Sequence, residues 1–139
     1  MNLKDCYKEK LLRKTKPSLQ FAQKSLEISQ EYIKKAQDNL KIKNYDITLF
    51  CAYTSMFHAS RGLLYKDGIK ERSHICIISH IKESYPNLRK LANLLDTYRR
   101  NRHNTLYALD FLTSEDDAYQ AIEDAKSFYK QIKNFIDLK

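Results

Sequence analysis

The chain has 139 residues, enough for one domain that removes about two-thirds of its unfolded surface from water. Only two glycines and two prolines occur, which argues against turn-rich all-β and α/β architectures and favours long helices. A net charge of +8 and a pI of about 9.3 favour phosphate-rich partners.

The three cysteines, Cys6, Cys51 and Cys76, are odd in number and irregular in spacing. The N-terminus is charged from Lys4 onward and lacks the apolar run of a secretion signal. No stretch approaches the ~20 apolar residues of a membrane span. We therefore expect a cytoplasmic protein without a membrane partner, whose cysteines are reduced, buried or incidental thiols.

Apolar residues three and four positions apart predict helices along the whole chain. A short basic helix comes first, and the third helix is apolar on nearly all sides, so we expect it to be central. The basic segment IKERS is expected to be a loop. The predicted helices cover residues 3–14, 17–42, 45–66, 74–84, 87–108 and 115–138.

Residues at the breaks support these boundaries. Pro17 suits a first helical turn, and Gly68 suits a left-handed C-cap. Ser114 and Asp117 resemble a capping box before the last helix. Because no linker or repeat interrupts the chain, we predict a single all-α domain over residues 1–139. Its architecture would be an antiparallel bundle of five to six helices with an up-and-down core.

The most polar helix carries the segment LLDTYRRNRHNTLY, residues 94–107. Helical spacing places Arg99, His103 and Tyr107 on one face, with Arg100 on its flank. Arginines can hold phosphate oxygens, and a histidine can move a proton near neutral pH. The alternative is a solvated helix end whose arginines pair with Asp96 or with the acidic stretch of residues 110–124.

Two other histidine-containing groups stand out. His58 and Arg61, three residues apart on the central helix, could form a second polar cluster facing the first, although a core histidine is the simpler interpretation. His74, Cys76 and His80 do not follow a standard zinc spacing, so we expect no metal site.

The segment CAYTSMFHASRGLLYKDGIKERSH resembles the second conserved block of HEPN-domain proteins, which ends in a Ser-His or Thr-His pair. LLDTYRRNRHNTLY resembles the third block of that family, and SEDDAYQAIEDAKSFYKQI resembles its closing helix. Many HEPN domains are metal-independent ribonucleases with an Arg, four to six residues and a His. From Arg102 to Tyr107 this chain instead reads R-x4-Y, a pattern similar to one branch of the family.

The resemblance implies a homodimeric helical bundle that binds or cleaves RNA or binds a nucleotide, without a cofactor. It also implies a minimal nucleotidyltransferase as a partner, as in toxin–antitoxin pairs, with Tyr107 as the analogous acceptor of a nucleotide. If the protein is an endoribonuclease, Arg102 and His103 are the expected catalytic residues. The expected RNA- or nucleotide-binding residues are Arg99, Arg100, Tyr107, His58 and Arg61. The alternative is a non-catalytic module that binds nucleic acid, nucleotide or an acidic partner.

Overall fold

A computed structural model describes the backbone of residues 1–107 and 113–137 and the side chains of residues 1–102 and 113–137. Over these residues, six α-helices confirm the predicted all-α bundle, and one small two-stranded sheet accompanies them. In chain order the elements are α1 (Leu3–Lys8), β1 (Leu12–Lys14), α2 (Leu19–Lys41), α3 (Tyr45–Asp67), β2 (Ile69–Glu71), α4 (His74–Ser84), a 3₁₀ turn (Pro86–Leu88), α5 (Arg89–Tyr107) and α6 (Glu115–Asp137).

Helix α3 is the centre of the molecule, as its apolar residues on nearly all sides predict. It packs against α2, α4, α5 and α6. Only residues 42–44 connect α2 to α3, so these two helices run in opposite directions. The largest buried side chains come from all of these helices, among them Leu26, Tyr53, Met56, Ile77, Leu95 and Phe128.

The helix ends follow local rules. Gly68 ends α3 with φ 75°, a left-handed conformation that glycine adopts without strain. A Cβ there would stand 2.6 Å from the carbonyl oxygen of Thr15, so no other residue fits. The Ser114 hydroxyl accepts a hydrogen bond of 3.0 Å from the backbone N–H of Asp117, which confirms the predicted N-cap of α6. Helix α2 begins at Leu19 after a Ser18 cap, so Pro17 lies outside the helix, contrary to the prediction.

The predicted helix over residues 3–14 is wrong in its second half. The helix ends at Lys8, and Lys10 takes a left-handed φ of 59° that turns the chain. Residues 12–14 then pair antiparallel with β2, which lies in the segment that we expected to be a loop. Burial of Leu12 and Ile69, 1% and 6% exposed, stabilises this pairing more than a further helical turn would, because it removes both side chains from water.

The prediction of free thiols is wrong for Cys6 and Cys76. The two residues, 70 positions apart, form a disulfide that joins α1 to α4. Helix packing brings their Cα atoms to 5.8 Å, within the range that a disulfide requires. Cys51 is a free, buried thiol in α3, as the sequence predicts.

Candidate functional site

The arginines of α5 differ in what they contact. Arg99 donates a hydrogen bond from Nε to a carboxylate oxygen of Asp96 at 3.1 Å, and its Nη2 lies 3.0 Å from the same oxygen as an ion pair. Arg100 stands 3.7 Å from the same carboxylate and is mostly exposed. The pairing with Asp96 therefore occurs, as the alternative interpretation expected. One carboxylate faces two guanidinium groups, so this part of the helix keeps a net positive charge.

Arg102 points toward α3 instead. Its guanidinium carbon lies 5.4 Å from the centre of the Phe50 ring and 5.7 Å from that of Tyr53. These contacts are cation–π interactions, which orient a guanidinium group without neutralising its charge. Arg102 is thus positioned by aromatic rings while its charge stays available to an anion.

Beside Arg102, the structure places His74, which the sequence analysis did not include among the expected RNA-binding or catalytic residues. His74 is the first residue of α4, and its Nδ1 shares a hydrogen bond with the Tyr53 hydroxyl. Its ring stacks on Phe57 with centroids 4.1 Å apart. Nε2 makes no hydrogen bond to a residue that the structure describes. The ring is therefore held on one nitrogen and one face.

Burial and nearby cations control the protonation of this pair. The pKa of His74 is lowered from its ordinary value, first by burial and then by the positive charges of Arg102, Arg99 and Arg61. Burial raises the pKa of Tyr53 to about 12, although Arg102 and Arg99 oppose the rise. At neutral pH Tyr53 keeps its proton and His74 is mostly uncharged, so the imidazole can accept a proton.

Phe57 separates this pair from the second cluster suggested by the sequence. His58 meets Phe57 edge-on at 5.4 Å and stacks on Tyr32 of α2 at 5.6 Å. Its Nδ1 is buried without a hydrogen-bond partner among the described residues. Its pKa is lowered by burial and then by Arg61. His58 therefore faces α2 rather than the arginines of α5.

Arg61 lies between Phe57 and strand β2 and contacts both. Its Nε lies 2.9 Å from a carboxylate oxygen of Glu71, and Nη2 donates to the Tyr65 hydroxyl at 2.8 Å. Its guanidinium carbon is 5.7 Å from the centre of the Phe57 ring. Arg61 thus adjoins the His74 pair through Phe57, although Glu71 offsets part of its charge.

The candidate site is therefore a strip of side chains from three helices: Tyr53, Phe57, Arg61, His74, Arg99 and Arg102. His103 and Tyr107 lie on the helical backbone of α5, but their side chains are outside the described residues. The sequence analysis did not predict that Tyr53, Phe57 and His74 belong to the site. His74 could have been found from the Ser-His pair that ends the segment resembling the second conserved block of HEPN-domain proteins.

The described residues show neither a metal cluster nor a membrane helix. In residues 1–102 and 113–137, no group of three His, Cys, Asp or Glu side chains is arranged to hold a metal ion. His80 instead lies 2.9 Å from Asp67, and Cys76 is in the disulfide. None of the helices described is both long and apolar enough to cross a bilayer.

Comparison with known proteins identifies the family of this chain. No curated protein matches the chain significantly. The model of the HEPN domain matches residues 22–135, which include α3, α4 and α5 and hence the whole strip. Helix α1 and strand β1 precede the matched region. Because the match spans most of the chain and agrees with the helical bundle, the chain belongs to the HEPN-domain family.

Proposed function

We propose that this HEPN protein binds RNA at the strip and cleaves it without a metal ion. The observation that carries the proposal is the convergence of Arg102 and Arg99 on the Tyr53–His74 pair. A permanent cation and a neutral imidazole in one place are the groups that phosphodiester cleavage requires.

The chemistry follows from those groups. A neutral histidine takes the proton of the ribose 2′-hydroxyl, whose oxygen attacks the adjacent phosphorus. The bond from phosphorus to the 5′-oxygen breaks, and that oxygen takes a proton from an acid. The products are a 2′,3′-cyclic phosphate and a 5′-hydroxyl. Arginine stabilises the negative charge that grows on the phosphoryl oxygens.

We propose that two histidines share the proton transfers. His103 follows Arg102 directly on α5, and His74 lies beside Arg102 across the strip. We assign phosphate binding to Arg102 and Arg99 and proton transfer to His103, with His74 as the second imidazole. Arg100 would add to phosphate binding at the exposed edge.

The test is cleavage of varied single-stranded RNAs by purified protein in EDTA, with analysis of the ends formed. Wild type should leave cyclic phosphates. His103→Ala and His74→Ala should each lower the rate by about 10²–10⁴-fold, the usual contribution of a general acid or base. Lys34→Gln is the control, since Lys34 is an exposed residue of α2. Absence of cleavage, or unchanged rates in both histidine variants, would overturn the catalytic assignment.

A second candidate is an RNA-binding module without turnover. The pairing of Arg99 and Arg100 with Asp96 favours it, because these ion pairs withdraw charge from a transition state. This module would show salt-sensitive RNA binding that weakens in Arg102→Ala, with no product formed. Equal affinity at low and high salt would contradict it.

The assembly that we propose is a homodimer that works with a minimal nucleotidyltransferase, as family membership supports. Light scattering of the purified chain tests the first part, with twice the chain mass of 16.5 kDa expected. Co-expression with such an enzyme tests the second. A mass increase of one nucleotidyl group on Tyr107, absent from Tyr107→Phe, is the expected result. An unmodified, fully active protein after co-expression would contradict it.

A further inference from the structure

The segment that precedes the family match builds a surface of its own. Strand β1 pairs antiparallel with β2, with Arg13 opposite Lys70. The backbone N–H of Arg72 donates to the carbonyl of Leu11 at 2.8 Å and extends the pairing by one step. The Cys6–Cys76 disulfide ties the preceding helix to α4. We call this two-stranded element, residues 12–14 and 69–71, the basic ribbon, and it is fixed to the bundle at both ends.

Its exposed side chains are almost all cationic. Leu12 and Ile69 point into the core, so the residues beside them face solvent. Glu9 is the one exposed carboxylate in residues 8–16 and 69–72. Seven exposed cations lie on the ribbon or next to it: Lys8, Lys10, Arg13, Lys14, Lys16, Lys70 and Arg72. None of them forms an ion pair with a residue that the structure describes. By contrast, exposed Lys34 and Lys41 of α2 share Asp38.

The pairing of Arg13 with Lys70 is informative because like charges directly opposite each other destabilise a two-stranded sheet. An anion between the two side chains would remove that repulsion. The only carboxylate on the ribbon, Glu71, is turned toward Arg61 at 2.9 Å. The ribbon therefore presents unneutralised positive charge at a fixed spacing.

A cavity leads from the ribbon toward the strip. It has a volume of about 260 Å³, and its polar lining comes from Arg13, Arg61, Tyr65, Lys70 and Glu71, the last of which pairs with Arg61. Arg61 in turn contacts the Phe57 ring, on which His74 stacks. Strand β2 ends at Glu71 and α4 begins at His74, so the chain itself connects the two surfaces.

We propose that the basic ribbon binds the phosphate backbone of an RNA strand that extends from the strip. The choice of RNA as the ligand rests on the proposed function, whereas the ribbon is a separate contact with its own readout. A lipid surface fits less well, because membrane binding by a basic segment usually adds exposed apolar anchors. Among the described residues, the large exposed apolar side chains nearest in sequence, Leu19, Phe21 and Ile75, belong to α2 and α4 and lie outside residues 8–16 and 69–72.

The test measures RNA affinity by fluorescence anisotropy as a function of salt. The probes are an oligoadenylate of about 20 nucleotides and a trinucleotide that can occupy only one surface. The ribbon variant is Arg13→Gln with Lys70→Gln. The control variant, Lys34→Gln with Lys41→Gln, removes the same charge from another face. Arg102→Ala reports separately on the strip.

We expect the ribbon variant to bind the long RNA several-fold more weakly. Its slope of log affinity against log salt should fall by about 1.4, which is 0.7 for each of two phosphate contacts to a single strand. Its affinity for the trinucleotide and that of the control variant should match wild type. Because like-charge repulsion is removed, the ribbon variant should also have a thermal midpoint at least as high as that of wild type.

The outcomes separate the two proposals. Wild-type affinity and slope in the ribbon variant would overturn the ribbon proposal while leaving the strip intact. An equal loss in the control variant would also overturn it, since general charge would then explain binding. An unaffected Arg102→Ala beside a weakened ribbon variant would overturn the proposed function alone. Ribbon-dependent binding to phosphatidylserine vesicles, without RNA binding, would replace RNA by a membrane.

Discussion

The Cys6–Cys76 disulfide closes a loop of 70 residues that contains β1, α2, α3 and β2. In the chain-entropy description, a cross-link across a loop of that length restricts the unfolded chain by about 4 kcal/mol at 25 °C. For a domain of this size, 1 kcal/mol corresponds to about 3–5 °C in the midpoint of thermal unfolding. We therefore expect the double variant Cys6→Ser with Cys76→Ser to unfold about 12–20 °C below the oxidised wild type.

Urea unfolding followed by circular dichroism measures the same difference as a free energy. The oxidised wild type should lose this stabilisation when dithiothreitol is added, and the double variant should not respond to the reductant. Buried Cys51, a free thiol, is present in both proteins and cancels in the comparison. Equal urea midpoints for oxidised wild type and the double variant would refute the reasoning, because the disulfide would then not lower the conformational entropy of the unfolded chain.

Three further predictions concern single side chains. Burial opposes the charge of Asp67, but hydrogen bonds from His80 and Tyr85 and the charge of nearby Lys66 hold the pKa of Asp67 below its ordinary value of about 3.9. The stabilisation from the charged carboxylate therefore exists above that pH and is lost as the pH falls through the lower folded value. Asp67→Asn should therefore lower the free energy of unfolding by about 2–3 kcal/mol at pH 7 and much less at pH 3, and equal losses at both pH values would contradict this. Phe128→Ala, at a fully buried position, should cost about 3–5 kcal/mol in urea unfolding, and a loss below 1 kcal/mol would contradict the packing described. Because the charge of Arg102 lowers the pKa of His74, Arg102→Gln should raise that pKa toward its ordinary value in an NMR titration. Arg100 does not contribute to the lowered pKa, so Arg100→Gln should leave the pKa of His74 unchanged.

Local signals predicted most of the helical fold. The end of α3 at Gly68 depends on one residue and the turn beside it, and the N-cap of α6 depends on two residues three positions apart. The central position of α3 follows from its apolar residues on nearly all sides. Each of these features is decided within a few residues along the chain.

The features that the sequence did not predict depend on distant partners. Residues 12–14 became a strand because they pair with β2, in which Leu12 lies opposite Glu71 and Ile69 lies opposite Lys14. Leu12 and Ile69, 57 positions apart in sequence, are both buried by this pairing. Cys6 meets Cys76 because α1 packs on α4. The Tyr53–His74 hydrogen bond links α3 with the start of α4 across 21 positions.

The sequence by itself determined the all-α class, most helix boundaries and the place of the arginines on one helix, because intrahelical hydrogen bonds and apolar periodicity act over three or four residues. Its HEPN blocks also pointed to the family that the comparison then established. Only the tertiary structure decided which side chains those arginines meet. Arg102 reaches Phe50 and Tyr53, and His74 joins the same strip, because packing of α4 and α5 against α3 sets distances that no local pattern encodes.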